Sequence, residues 1–223
     1  MPFFNFQIYK MLEVKKFTFN PFSENTFIIS NKLNDAIIID PGCYYKEEQK
    51  VIDDYVSQNS LKIHTVLHTH SHLDHMFGTA YILENYNVNL WIHKNDEITY
   101  ESFEKVCDVY GIPNIQFPQK PPLFFNADNR ININDIEFQI LNVPGHSPGH
   151  VAFYNKENNF VINGDFLFEN SIGRTDLPGG NHDQLLKSIK ENLFVLPDPT
   201  IVYTGHGNET TIGKEKRTNP FLL

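Results

Sequence analysis

The segment HTVLHTHSHLDHMFGTA, His64 to Ala80, decides how the rest of the chain is read. Four of the ten histidines in the 223-residue chain, His68, His70, His72 and His75, fall with Asp74 inside eight consecutive residues. The run IHTVLH that leads into them is short, β-branched and apolar, as a buried strand should be, and LDHMFGTAYILENY that follows has helical patterning. The cluster therefore sits on the turn from a strand into a helix. Four liganding side chains in the six residues of HSHLDH serve no packing purpose, so this pattern is read as a metal-binding one. His70 and His72 are two apart on an extended segment, which points both imidazoles to the same side and lets them hold one cation. Asp74 and His75 come at the helix start, turned away from the first pair, and can serve a second cation beside it.

Three more candidate ligands stand at the ends of other strand-like runs. IEFQILNV leads into PGHSPGH with His146, NFVIN into GDFLF with Asp165, and TIVYT into TGHG with His206. Strand ends converging on one rim hold side chains in fixed relative positions, which a metal site requires. A carboxylate such as Asp165 can bridge two ions, and His146 and His206 would complete the two sites. Nitrogen and oxygen donors without cysteine suit two Zn²⁺ ions, with Fe²⁺ or Mn²⁺ as alternatives. His64, His68, His93 and His182 lack a partner cluster and are read as ordinary histidines. His150 is read as a packing or ligand-supporting residue at the start of a strand.

Around these sites the pattern alternates. TFIIS, DAIIID, VNLWIH and HVAFY add further short strands, and helices are expected over YKEEQKVIDDYVSQN, LDHMFGTAYILENY, NDEITYESFEKVCDVY and DQLLKSIKENLF. In the first of these helices Val51, Ile52, Tyr55 and Val56 are expected to share one face. GIPNIQFPQKPPLFF, with four prolines, is expected to be a surface loop. Strand pairs followed by helices, with no long Gly/Ser linker, predict an α/β chain of sheets packed together with helices outside. One domain over 11–223 is expected, preceded by an extension over 1–10 that adds no ligand.

Composition narrows the function classes. Hydrophobic residues make up 40% of the chain, enough for a large core, and the formal charge of −9 disfavours nucleic acid, whose affinity needs clustered Lys and Arg. The same charge disfavours an acidic membrane surface. No run of about 18 apolar residues is present, and MPFFNFQIYKMLEV lacks the basic and apolar regions of a signal peptide. Cys43 and Cys107 are too few for a disulfide framework and are read as buried hydrophobes in a cytoplasmic protein.

Taken together, THSHLDH, His146 in PGHSPGH, Asp165 in NGDFLF and His206 in TGHG resemble the ordered ligand set of the metallo-β-lactamase superfamily. The likeness runs from FTFNPFSENTFII through IIIDPG to the segment starting GRTDLPGG, and is nearest to the small bacterial glyoxalase II-like hydrolases. It implies an αββα sandwich in which His70, His72 and His146 bind one metal, Asp74, His75 and His206 bind the other, and Asp165 bridges. It also implies that Asp40, at the end of AIIID, stands behind the ligands and orients a histidine; on turn propensity alone Asp40 reads equally as a turn former before Pro-Gly.

The expected chemistry is hydrolysis of a small-molecule thioester or related ester. A water held between two cations deprotonates near neutral pH and attacks a carbonyl polarised by metal. Asp74 is assigned to orient that nucleophile as well as to bind metal. A thiol of pKa about 8.5 leaves without a general acid, which favours thioesters. Only 17 residues follow His206, whereas glyoxalase II enzymes proper carry a C-terminal helical region that holds glutathione. Arg174 in GRTDLPGG is the candidate for an anionic substrate group, against an alternative reading as a loop-ordering ion pair with Asp176. Two rival functions are a persulfide dioxygenase with a single Fe²⁺ on the same fold and a non-catalytic metal-binding protein.

Overall fold

The structure, a computed structural model, describes residues 11–125 and 130–223, so the extension expected over 1–10 lies outside the described residues. The first half runs β1 (Glu13–Phe19), β2 (Glu24–Ser30), β3 (Asp35–Ile39), α1 (Lys46–Gln58), β4 (Lys62–Leu67), α2 (Leu73–Met76), α3 (Thr79–Tyr86), β5 (Asn89–Ile92), α4 (Glu97–Glu101), α5 (Phe103–Tyr110) and β6 (Leu123–Phe124). The second half runs β7 (Arg130–Ile133), β8 (Ile136–Asn142), β9 (Val151–Asn155), β10 (Phe160–Gly164), β11 (Leu167–Phe168), β12 (Ser171–Ile172), α6 (His182–Ser188), β13 (Ile201–Thr204), β14 (Thr210–Thr211) and α7 (Ile212–Thr218). Each half builds one six-stranded sheet, in the orders β1-β2-β3-β4-β5-β6 and β14-β13-β10-β9-β8-β7.

The layering follows from side-chain alternation. Successive residues of a strand face opposite sides of its sheet. In β3, Ile37 and Ile39 join an apolar cluster with Phe138, Phe153 and Ile162 of the other sheet, while Ala36 and Ile38 join one with Ile52, Ile82 and Phe103 of the outer helices. In β9, Phe153 faces inward, while Ala152 and Tyr154 pack with Leu185 of α6 and with Ile189 and Leu193 just beyond it. Three apolar interlayers between four layers make an αββα sandwich. Because both faces of the central strands are covered, β3, β9 and β10 read as nearly unbroken apolar runs rather than as alternating ones.

Several expected helices are broken where the chain must follow its neighbours. LDHMFGTAYILENY divides into α2 and α3 at Phe77–Gly78, where the Gly78 N–H donates to the Pro41 carbonyl at 2.8 Å. A Cβ on Gly78 would stand 2.3 Å from Cys43 Sγ, so only glycine permits that approach. NDEITYESFEKVCDVY divides at Ser102 between α4 and α5, and DQLLKSIKENLF continues past α6 as one π-helical turn over Ile189–Leu193. On α1, Ile52 and Val56 are buried and Tyr55 partly so, but Val51 falls at the solvent edge of the expected face. The proline-bearing segment is irregular until Leu123–Phe124 pair as the short edge strand β6. Cys43 and Cys107 are buried free thiols. Among the described residues no helix is long and apolar enough to cross a membrane.

Candidate metal centre

Strand ends assemble the site. Asp40 follows β3, the His70–His75 stretch follows β4, Asp165 follows β10, and Gly205 with His206 follows β13; His146 lies on the β8–β9 connection. The strand pairs β3–β4 and β10–β13 are parallel, so their carboxyl ends reach the same edge of each sheet. The structure brings all seven expected ligands together there. Nitrogen atoms of His70, His72 and His146 lie within 4.8 Å of one another, as do ligand atoms of Asp74, His75 and His206. Asp165 stands between the sets: its Oδ1 is 3.4 Å from His75 Nε2, and its Oδ2 is 3.3 Å from His206 Nε2 and 3.8 Å from His146 Nε2.

The hydrogen bonds behind the histidines fix which nitrogen faces the cluster. Thr69 Oγ1 donates its one hydrogen to Asp40 Oδ2 at 2.6 Å, so it accepts from His70 Nδ1 at 3.0 Å. His75 Nδ1 donates to Asp40 Oδ2 at 3.1 Å, and His146 Nδ1 donates to the Arg174 carbonyl at 2.7 Å. His206 Nδ1 faces the Phe22 and Ser23 carbonyls at 3.1 and 3.2 Å. With Nδ1 tied off, each of these four rings turns its Nε2 inward, which is how protein partners prepare histidine for a metal. His70 Nε2, His75 Nε2 and Asp165 Oδ1 are buried and have no hydrogen-bond partner, a costly arrangement for polar atoms unless a cation takes them. Gly205 leaves room for this: a Cβ there would stand 2.1 Å from Asp165 Oδ1 and 2.9 Å from His75 Cε1. The donor set fits a pair of divalent cations.

The two halves of the cluster differ electrostatically. Burial, reinforced by neighbouring imidazoles, pushes His70 well below the ordinary histidine range and His72 down to about 3. Burial also lowers His146. For His75 and His206 burial opposes the proton, but Asp165 and Asp74 prevail, holding His75 well above its ordinary value and His206 at about 10. In turn, burial works against ionising Asp74 and Asp165, but the charges and hydrogen bonds of His75 and His206 together outweigh it and keep both carboxyls low. The first set thus presents neutral imidazoles, and the second presents paired charges.

Asp40 stands where the resemblance implies it, whereas three further supporting residues, Thr69, Asp96 and Glu24, carry no mark in the sequence. Asp40, at φ +50° with no glycine to ease it, receives the Thr69 N–H at 2.7 Å as well as the Thr69 hydroxyl, and so reaches His70 through Thr69 and His75 directly. The role of Thr69 appears only once β3 and β4 are paired. Asp96, just before α4, accepts the Ser71 N–H and the Ser147 hydroxyl. Glu24 is fully buried behind His75, 3.9 Å from its Nδ1, where burial raises its carboxyl well above the usual range.

The remaining histidines are accounted for locally. His150 stacks on His70 at 4.7 Å, and its Nε2 accepts the Asp165 N–H at 3.1 Å. His68 Nε2 meets Thr79 Oγ1, His64 meets Asp35, His93 caps the turn at Lys94, and His182 opens α6. The Arg174 side chain forms a two-pronged pair with Asp176 at 2.6 and 2.7 Å, both exposed, while its carbonyl holds His146.

The geometry agrees with what the chain is similar to. It is 37% identical over 203 residues to hydroxyacylglutathione hydrolase GloC of Haemophilus influenzae, covering 90% of this chain and 93% of that protein. The BLEG-1 B3 metallo-beta-lactamase crystal structure superposes with a TM-score of 0.86 at 30% identity, over 95% of this chain and all of that one. TTHA1623, crystallised in a di-iron-bound form, gives a TM-score of 0.83 at 36% identity, over 94% of this chain and all of that one. The superfamily's sequence model matches residues 19–206, which include every candidate ligand and most of both sheets, and the chain therefore belongs to the metallo-beta-lactamase superfamily.

Proposed function

We propose that this superfamily hydrolase cleaves thioesters in the manner of glyoxalase II, with His70, His72 and His146 holding one divalent cation, Asp74, His75 and His206 a second, and Asp165 shared between them. The observation that carries the reading is the position of Asp165, whose two oxygens face both histidine sets. The GloC likeness supports the thioester class. Zn²⁺ suits the nitrogen and oxygen donors, and Fe²⁺ or Mn²⁺ suits the same positions. When bound, such a pair supplies Lewis acidity and a nucleophilic water at neutral pH.

The chain's own contribution is positional. Asp40 and Thr69 keep His70 and His75 in the tautomer that offers Nε2, and the Arg174 carbonyl does the same for His146. Asp74 Oδ2, 3.1 Å from His206 Nε2, accepts a hydrogen bond at the open side of the cluster and orients the attacking water. The departing thiolate has a pKa of about 8.5, so no acid is needed to protonate it. Arg174 meets an anionic part of the substrate by exchanging Asp176 for it; Arg174→Ala then raises KM several-fold for an anionic thioester with kcat little changed, which steady-state kinetics reads directly.

The test is to strip the protein with a chelator, restore Zn²⁺, Mn²⁺ or Fe²⁺, and follow thiol release from S-lactoylglutathione beside oxygen consumption with glutathione persulfide. Metal-dependent thiol release without oxygen uptake is the expected result. Oxygen uptake with iron and no thiol release makes the protein a dioxygenase, and activity with neither substrate sinks the thioester reading.

A further inference from the structure

We infer that Asp96 is a positioning residue for the first cation site, its single carboxylate clamping the loop that carries His70 and His72 to the loop that carries His146. Asp96 is fully buried on the short turn between β5 and α4, an element that supplies no candidate ligand. Its Oδ2 accepts the backbone N–H of Ser71, the residue between His70 and His72, at 2.5 Å. Its Oδ1 accepts the hydroxyl of Ser147, the residue after His146, at 2.8 Å. The Gly149 N–H reaches the same carboxylate, and Gly149 packs so closely that a Cβ there would stand 2.2 Å from the Asp96 nitrogen.

These contacts have a common geometry. Ser71 and Ser147 belong to loops from different sheets, 76 residues apart in sequence, yet one carboxylate fixes both. The ligands they flank meet between them, with His72 Nδ1 2.8 Å from His146 Nε2. A buried carboxylate receiving several donors makes strong, directional bonds, so small slippage of either loop is resisted. The second set hangs from other anchors: His75 from Asp40, and His206 from the Phe22 and Ser23 carbonyls. Loss of Asp96 should therefore loosen one cation site and spare the other.

This inference rests on the two-cation reading, and the test separates the two. Wild-type protein and the Asp96→Ala and Asp96→Asn variants are stripped with a chelator and titrated with Co²⁺, whose visible absorption reports each site as it fills. The His146→Ala variant identifies which step belongs to the first site. Wild-type protein should take up two ions in resolvable steps; uptake of none or one would sink the two-cation reading whatever the variants do. Given two steps, Asp96→Ala should weaken the first-site step by roughly ten- to hundredfold, the scale on which ligand-supporting partners act, and leave the second step in place. Asp96→Asn should fall between, since its amide oxygen still accepts from Ser71 while its NH₂ can donate to the Ser147 oxygen. Circular dichroism of the stripped proteins controls for folding, and if the alanine variant does not fold, the asparagine variant decides. An unchanged first step in a folded variant overturns the inference. So does equal weakening of both steps, which would mark Asp96 as a general support of the fold.

Discussion

Asp165 carries the most at the scale of single residues. Asp165→Asn keeps the size and the backbone bond to His150 but removes the charge that, on the proposed two-cation reading, offsets the cations' mutual repulsion. The variant should stay folded, retain less metal and lose at least about a hundredfold in rate, the scale on which electrostatic groups at reaction centres act. His64→Gln, which alters contacts with Asp35 and Asn134 away from the cluster, should do little by comparison. Elemental analysis and thioester kinetics on both variants check this; full metal content and near-normal turnover in Asp165→Asn would refute the shared position of that residue. The seven candidate ligands were legible because HSHLDH concentrates donors that no core needs, and because the other three end recognisable strand runs. Asp96 and Thr69 were not legible. An acid in NDEITY reads as an ordinary helix-start residue, and only the approach of loops 25 and 51 residues away brings Ser71 and Ser147 to it.

Among elements, strand ends hold the candidate ligands and glycines set how closely those ends approach. Gly205 follows β13, donates its N–H to the Gly164 carbonyl at 2.8 Å, and leaves the space that Asp165 Oδ1 occupies. Gly205→Ala puts a methyl 2.1 Å from that oxygen, a distance no Cβ tolerates, so either the carboxylate or the β13 end must shift. The expected outcome is loss of metal and activity with the circular dichroism spectrum retained, because the clash is confined to the rim. Normal metal binding in this variant would mean that Asp165 has room to turn aside. The strands themselves were readable from short apolar runs, since burial on both faces leaves little but β-branched and aromatic residues to choose from. The helix breaks were not. Gly78 interrupts LDHMFGTAYILENY because its N–H goes to Pro41 and Cys43 lies against it, contacts that no local periodicity encodes.

Across the whole molecule the inter-sheet layer sets stability, and the cluster at its edge sets how stability responds to pH. Phe153 lies wholly buried between the sheets against Phe125 and Phe138, so Phe153→Ala should cost about 3–5 kcal/mol, read as a lower denaturation midpoint. The pH response has two opposite flanks in chelator-stripped protein. His206, at about 10 in the fold against 6.5 ordinarily, and His75, raised likewise, contribute stability that is fully present below about 6.5 and is lost as pH rises toward 10. His72, at about 3, and His70 and His146, lowered by burial, act the other way: below 6.5 the unfolded chain takes up protons that the fold refuses, so stability falls toward acid. Asp74 and Asp165, held below 3.8, add to that acid loss because their contribution is present above 3.8 and disappears as pH falls through the lowered values. The same asymmetry governs metal uptake, because a histidine must give up its proton before it can bind. At pH 7 the first set is already neutral, whereas His75 and His206 still hold protons. Filling the second site should therefore release more protons than filling the first, and its apparent affinity should climb more steeply between pH 6 and 8. Titration calorimetry in buffers of different ionisation enthalpy measures the protons released at each step. Equal release at both steps, or more at the first, would show that the carboxylates do not hold His75 and His206 charged, and the assignment of paired charges to the second set would fall.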